Sequence, residues 1–139
     1  MEPKMDTTAL TAFLETDFPQ LGTEFVVESV DNDGVTVRLK VTDAHLRPGG
    51  TVSGPSMFAL ADVAMYLAIL SRLGPVALAV TTNCSIDFMR KPAAGTDMVC
   101  KARLLKLGRV LAVGDAMIFS DGHAAPVARA SLTYSIPPK

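Results

Sequence analysis

The sequence predicts an α+β protein in which a single antiparallel sheet covers one long apolar helix, with a shorter helix at the N-terminus. Three observations carry this. The stretch from Met57 to Leu70 is apolar apart from one acid, Asp62. Short turn signals, Asp31-Asn32-Asp33-Gly34, Leu107-Gly108-Arg109 and Asp121-Gly122, separate strand-like runs. The chain has 139 residues, 49% of them hydrophobic and 19% charged, which fits one domain over residues 1–139 with a sizeable core.

The elements follow in order. Asp6 to Phe18 carries apolar residues at 9, 10, 13, 14 and 18, a helical spacing that Asp6 or Thr7 can cap and that Pro19 and Gly22 end. Glu24 to Val30 and Val35 to Thr42 read as a hairpin around the Asp/Asn/Gly turn, the second strand alternating Val35, Val37, Leu39 and Val41 with polar residues. Residues 43–55 are loop by composition. The long helix begins with Pro55 at its first position and Ser53 or Gly54 as its cap, and it ends before Gly74-Pro75. Four strands complete the chain: 76–89, 96–107, 110–120 and 124–136.

Composition narrows the function classes. A net charge of −1 and a pI near 6.1 offer no basic footprint for nucleic acid. The first ten residues, MEPKMDTTAL, contain no long apolar run, so no secretory leader is expected. Cys84 and Cys100 are then expected to be reduced, buried thiols in a cytoplasmic protein. The apolar run 57–70 is broken by Asp62 and too short to span a bilayer, so no membrane partner is expected. His45 and His123 have no partners at metal-site spacing apart from Asp43 near His45, so no metal is expected. No phosphate-binding glycine loop or nucleophile elbow occurs. Met57, Met65, Met89 and Met117 are expected as core or acyl-pocket residues, core first.

Asp62 needs a reason. Aspartate has poor helix propensity, and a buried unpaired carboxylate is costly. A flank position with a salt bridge to an Arg or Lys, Arg47 among them, is one explanation. The other uses the helix start, where Gly54, Ser56 and Met57 can offer backbone N–H groups to a developing oxyanion while Pro55 offers none. Eight residues separate Gly54 from Asp62, roughly 12 Å along a helix axis. One helix cannot place both groups on one carbonyl. Two antiparallel copies can, which points to a homodimer with shared sites. On the strand 79–88, strict alternation puts Ala79, Thr81, Asn83, Ser85 and Asp87 on one face.

From about residue 45 to residue 135 the chain resembles the hotdog-fold acyl-CoA thioesterases, specifically the phenylacetate-pathway (PaaI-like) branch. The segments that carry the resemblance are ALAD (59–62), AVTTNCSIDFMRKP (79–92), KLGR (106–109) and ARASLTYS (128–135). The resemblance implies a long central helix wrapped by a curved antiparallel sheet. The family's loop usually reads His-Gly-Gly, with the catalytic acid nine residues after the His. Here Ser53, Gly54 and Pro55 occupy those places, and nine residues after Ser53 stands Asp62.

On this resemblance the Gly54 N–H polarises the thioester carbonyl, Asp62 is general base or nucleophile, and Thr81 helps place the water. Arg47 stands where some members have a positioning Asn. Ser53, Arg47 and Asn83 become candidate substrate contacts, and Arg109, Arg90 and Lys91 candidate cations for the phosphates of CoA. The expected function is hydrolysis of an acyl-CoA thioester by a homodimer, or a dimer of dimers, with CoA entering only as part of the substrate and no separate cofactor. The replaced His and Asn motivate an alternative, a non-catalytic acyl-CoA binding protein on the same fold.

Overall fold

In the computed structural model, which describes residues 2–138, Asp6 caps the first helix, α1 (Thr7–Asp17), by accepting from the Ala9 N–H at 2.8 Å. Leu10, Phe13 and Leu14 form its buried stripe, as the spacing requires. A single 3₁₀ turn at Pro19–Leu21 leads into strands β1 (Phe25–Val30) and β2 (Gly34–Leu39). Between them Asp31 folds its carboxylate back onto the N–H groups of Asp33 and Gly34, each at 2.8 Å, which makes the tight turn.

Strand β2 is shorter than its alternation predicts. After Leu39 the Lys40 N–H goes to Glu24 O and the Val41 N–H to Asp97 Oδ1 at 2.9 Å, so no further ladder partner is needed. A second 3₁₀ turn, Asp43–His45, is closed by His45, which accepts the Thr42 N–H at Nδ1 and meets Glu24 Oε2 through Nε2 at 3.0 Å. That buried histidine fastens the loop before the long helix.

The long helix α2 (Gly54–Leu73) has Ser53 as its cap, Gly54 as its first residue and Pro55 second, one place later than expected. Strands β3 (Val80–Phe88), β4 (Met98–Leu107), β5 (Leu111–Ser120) and β6 (Ala128–Ser135) follow. Residues 76–79 form a turn instead of extending β3, with the Ala79 N–H on Val76 O. The six strands make one antiparallel sheet in the order β1-β2-β4-β5-β6-β3. Thus β3 leaves its neighbours in sequence and lies at an edge, hydrogen-bonded among the described residues only to β6.

The sheet curls around α2. Leu60, Ala61, Ala64, Leu67, Ala68, Ile69 and Leu70 are fully enclosed, against Val37, Leu39, Cys100, Ala116, Ile118 and Leu132 from the strands. By length and composition α2 could cross a membrane, but 72% of its apolar window is already buried inside the protein. Gly114 lets the helix come this close, since a Cβ there would overlap the Met65 side chain and the Arg103 carbonyl. Met57 and Met65 are core residues, whereas Met89 is 43% exposed and Met117 lies half-buried on the outer face of β5. Cys100 is enclosed and Cys84 only half-buried.

Candidate active site

Asp62 sits on the flank of α2 that faces β3 and β6, half-buried. Its partners are neutral. Thr81 Oγ1 donates to Asp62 Oδ1 at 2.6 Å, and the Tyr134 hydroxyl donates to the same oxygen at 2.7 Å and to the Asp62 carbonyl at 2.9 Å. Among the described residues Asp62 makes no salt bridge, and Oδ2 has no hydrogen-bond partner. Arg47 lies instead in an exposed turn, its N–H on Thr51 O and its carbonyl accepting from Gly50 N–H. The ion-pair explanation of Asp62 is therefore replaced by two hydroxyl donors.

A β-bulge makes this possible. Thr81 pairs with Tyr134 and Asn83 with Thr133, so Thr82 is an extra residue in β3. The extra residue reverses the alternation. Thr81 faces α2 together with Cys84 and Ile86, while Asn83, Ser85 and Asp87 face outward. Strict alternation places Thr81 and Asn83 on one face; in the structure they lie on opposite faces, and Asn83 is exposed.

Burial first, then the charge of Asp62, pushes the Tyr134 phenol up from its ordinary value, so it remains a hydrogen donor. Cys84 is also pushed up, by burial and by the Asp62 charge, which keeps it a thiol beside the carboxylate rather than a nucleophile. Tyr134 escaped the sequence reading. Its only local sign is its place on the inward parity of β6, with Ala128, Ala130 and Leu132, where a phenolic O–H needs a partner.

At the other end of the site, the first turn of α2 narrows to one free donor. The Ser53 hydroxyl accepts the Ser56 N–H at 3.3 Å and donates to Ser56 Oγ at 3.0 Å, and Ser53 O accepts the Met57 N–H at 3.1 Å. Pro55 has no N–H. The Gly54 N–H is left without an acceptor among the described residues, at the positive end of the helix dipole. The half-exposed Phe88 ring lies over Gly54, and a Cβ there would come within 3.3 Å of its Cζ. A cleft of about 290 Å³ opens beside this turn, lined by Leu21, Phe25, Leu39, Pro55, Ser56 and Ala59 among others.

The structure thus brings Asp62 and Thr81 together and leaves Gly54 and Ser53 two helical turns away. Arg109 is exposed in the β4–β5 turn, at the sheet end where Val80, Leu111 and Ser135 meet. Arg90 and Lys91 are exposed beyond Phe88, at the Gly54 end, and Arg90 Nε donates to Pro126 O at 2.8 Å. Along α2, Met57 and Tyr66 are buried in the core and Phe58 is exposed. Among the described residues no group of three His, Cys, Asp or Glu side chains is placed to hold a metal ion.

A curved antiparallel sheet around one long helix is the hotdog fold. Residues 49–127 match the family model of the thioesterase superfamily, and the chain belongs to that family of hydrolases. A protein of Silicibacter sp. TM1040, solved under a thioesterase name, is 59% identical and superimposes with a TM-score of 0.92 over 99% of this chain and 96% of its own. The Escherichia coli PaaI protein of the phenylacetic acid degradation operon is 26% identical, with a TM-score of 0.78 over 91% of this chain and 89% of that one. A Pseudomonas aeruginosa protein that carries an esterase name is 29% identical over 103 residues, 74% of this chain and 75% of that protein.

Proposed function

We propose that the protein hydrolyses acyl-CoA thioesters at sites shared between two subunits, with Asp62 of one and Gly54 of the other acting on the same carbonyl. The observation that carries this is the carboxylate of Asp62, held at Oδ1 by two neutral donors with Oδ2 free of partners among the described residues. A charged partner would have spent that oxygen. The separation of Asp62 from Gly54 along one helix supports a shared site, as does the free edge of β3, which runs from Thr81 beside Asp62 to Phe88 beside Gly54. Two copies joined antiparallel along that edge bring the Gly54 end of one against the Asp62 end of the other. The same pairing gathers Arg90 and Lys91 of one subunit with Arg109 of its partner, as cations for the CoA phosphates.

The chemistry needs few groups. Asp62 Oδ2 takes a proton from water as the water oxygen bonds to the thioester carbon. The carbonyl oxygen becomes an oxyanion facing the Gly54 N–H. Collapse breaks the C–S bond, and the thiolate of CoA leaves and recovers the proton from Asp62, giving a carboxylic acid and CoA thiol. Thr81 holds the carboxylate. Ser53 acts through the helix cap, and Arg47 and Asn83 are exposed to meet substrate from solvent. The cleft beside the first turn of α2 has room for a short acyl or aryl group. The protein acts in the cytoplasm, without a cofactor of its own.

The test is thiol release from acetyl-, hexanoyl-, palmitoyl- and benzoyl-CoA by wild type and Asp62→Asn. Turnover by wild type and a loss of at least about a hundredfold in the variant are expected. Binding of these thioesters without turnover by either form would turn the assignment to the acyl-CoA binding reading, which the commitment of the Ser53 hydroxyl to the cap would then explain.

A further inference from the structure

The Tyr134 hydroxyl has two acceptors on one residue, Oδ1 of Asp62 at 2.7 Å and the Asp62 carbonyl at 2.9 Å. A phenol has one hydrogen, so donation is shared between them. Thr81 takes the remaining approach to Oδ1 at 2.6 Å. Two strands, β3 and β6, thereby hold a side chain of α2 from the same side, and the carboxylate cannot rotate about its Cα–Cβ bond without losing both donors. We propose that Tyr134 is a positioning residue that fixes Asp62 by Oδ1 and by its backbone, so that Oδ2 is the oxygen presented to water. This rests on the hydrolytic reading of Asp62 above.

The surroundings make that hydroxyl matter. The ionisable groups nearest Asp62 are Tyr134 from β6, Cys84 from β3 and, behind Tyr134, Tyr66 from α2, its ring centroid 6.3 Å from that of Tyr134. All three are neutral donors or acids. No cation pairs with Asp62 among the described residues. Among the described residues Oδ1 is therefore held by hydroxyl donors alone, and removing one frees the carboxylate to turn. A residue that merely filled the core beside Tyr66 would not have this effect.

The test compares wild type, Tyr134→Phe, Tyr134→3-fluorotyrosine and Asp62→Asn, using whichever of acetyl-, hexanoyl-, palmitoyl- and benzoyl-CoA is cleaved fastest. In Tyr134→Phe kcat falls about tenfold with KM nearly unchanged. The fluorinated phenol keeps the ring and hydroxyl should the phenylalanine variant fail to fold. The ¹³C-carboxyl chemical shift of Asp62, read at one pH without substrate, changes in both variants as its donor is removed or altered. Wild-type kcat in a folded Tyr134→Phe, or an unmoved Asp62 carboxyl signal in both variants, would overturn the proposal. Full turnover by Asp62→Asn would instead overturn the hydrolytic role of Asp62, while the carboxyl signal would still report the hydrogen bond.

Discussion

Gly54→Ala separates stability from activity. Gly54 has no positive φ, so alanine meets no backbone strain there. The glycine is the first residue of α2, where alanine is the better helix former by up to about 1 kcal/mol. Against this, the new Cβ would stand 3.3 Å from Cζ of Phe88 and 3.7 Å from its neighbours, a contact that a half-exposed ring relieves by shifting a few tenths of an ångström. The net change in unfolding free energy is therefore within about 1 kcal/mol. Activity behaves differently. The methyl group sits beside the free Gly54 N–H and pushes the neighbouring Phe88 ring, so a carbonyl oxygen loses its close approach to the donor. Loss of one such donor costs about a hundredfold or more in kcat, and obstruction of it about tenfold at least. Thermal unfolding and thiol release on the same preparations measure the two effects. A Gly54→Ala protein with wild-type turnover, or one that unfolds outright, would refute the reasoning.

Two predictions concern the scaffold. Arg38 binds Asp121 at 2.8 Å and also Glu28 and Asp97, tying β1 and β2 to the segments flanking β4 and β5. The hydrogen bond from Arg38 holds the Asp121 carboxyl below 3.8, so its contribution is full above the unfolded value and is lost as pH falls through the folded one. Arg38→Met then lowers the melting temperature at neutral pH, and the two proteins converge as pH drops below 3.8; a gap constant across melts at falling pH would contradict this. Gly114→Ala, which drives a methyl into Met65 and the Arg103 carbonyl, costs about 1–3 kcal/mol in denaturant unfolding. Combined with Met65→Ala the losses are less than additive, and strict additivity would show that the helix does not pack there.

The central architecture was legible because it is written locally. The apolar run of α2, its proline-bearing start and the Asp31–Gly34 turn each act within a few residues, and all lie within a residue or two of where the sequence puts them. The sheet order was not, because the pairing of β3 with β6 joins residues some fifty positions apart and leaves no periodic trace. The site divides in the same way. Asp62 stands out as an acid in an apolar helix, and Gly54 follows from the helix start. Thr81 reaches Asp62 only through the bulge at Thr82, which alternation alone cannot reveal and which carries Asn83 to the opposite face. Tyr134 was hidden for the same reason, since nothing near it in sequence shows that Asp62 is the acceptor of its hydroxyl. Met89 read as core from its composition, but it follows an edge strand whose outer side no strand of the same chain covers.

The most direct test of a site built by two subunits is complementation. Asp62→Asn and Gly54→Ala proteins, each weak alone, are unfolded together, refolded at equal concentration and assayed for thiol release. In a two-fold dimer each hybrid carries one site with an intact Gly54 and an intact Asp62, so the mixture regains roughly a quarter of wild-type turnover. Activity no greater than the sum of the two parents, in a mixture shown to contain hybrids, would place both groups of the site within one chain and contradict the account.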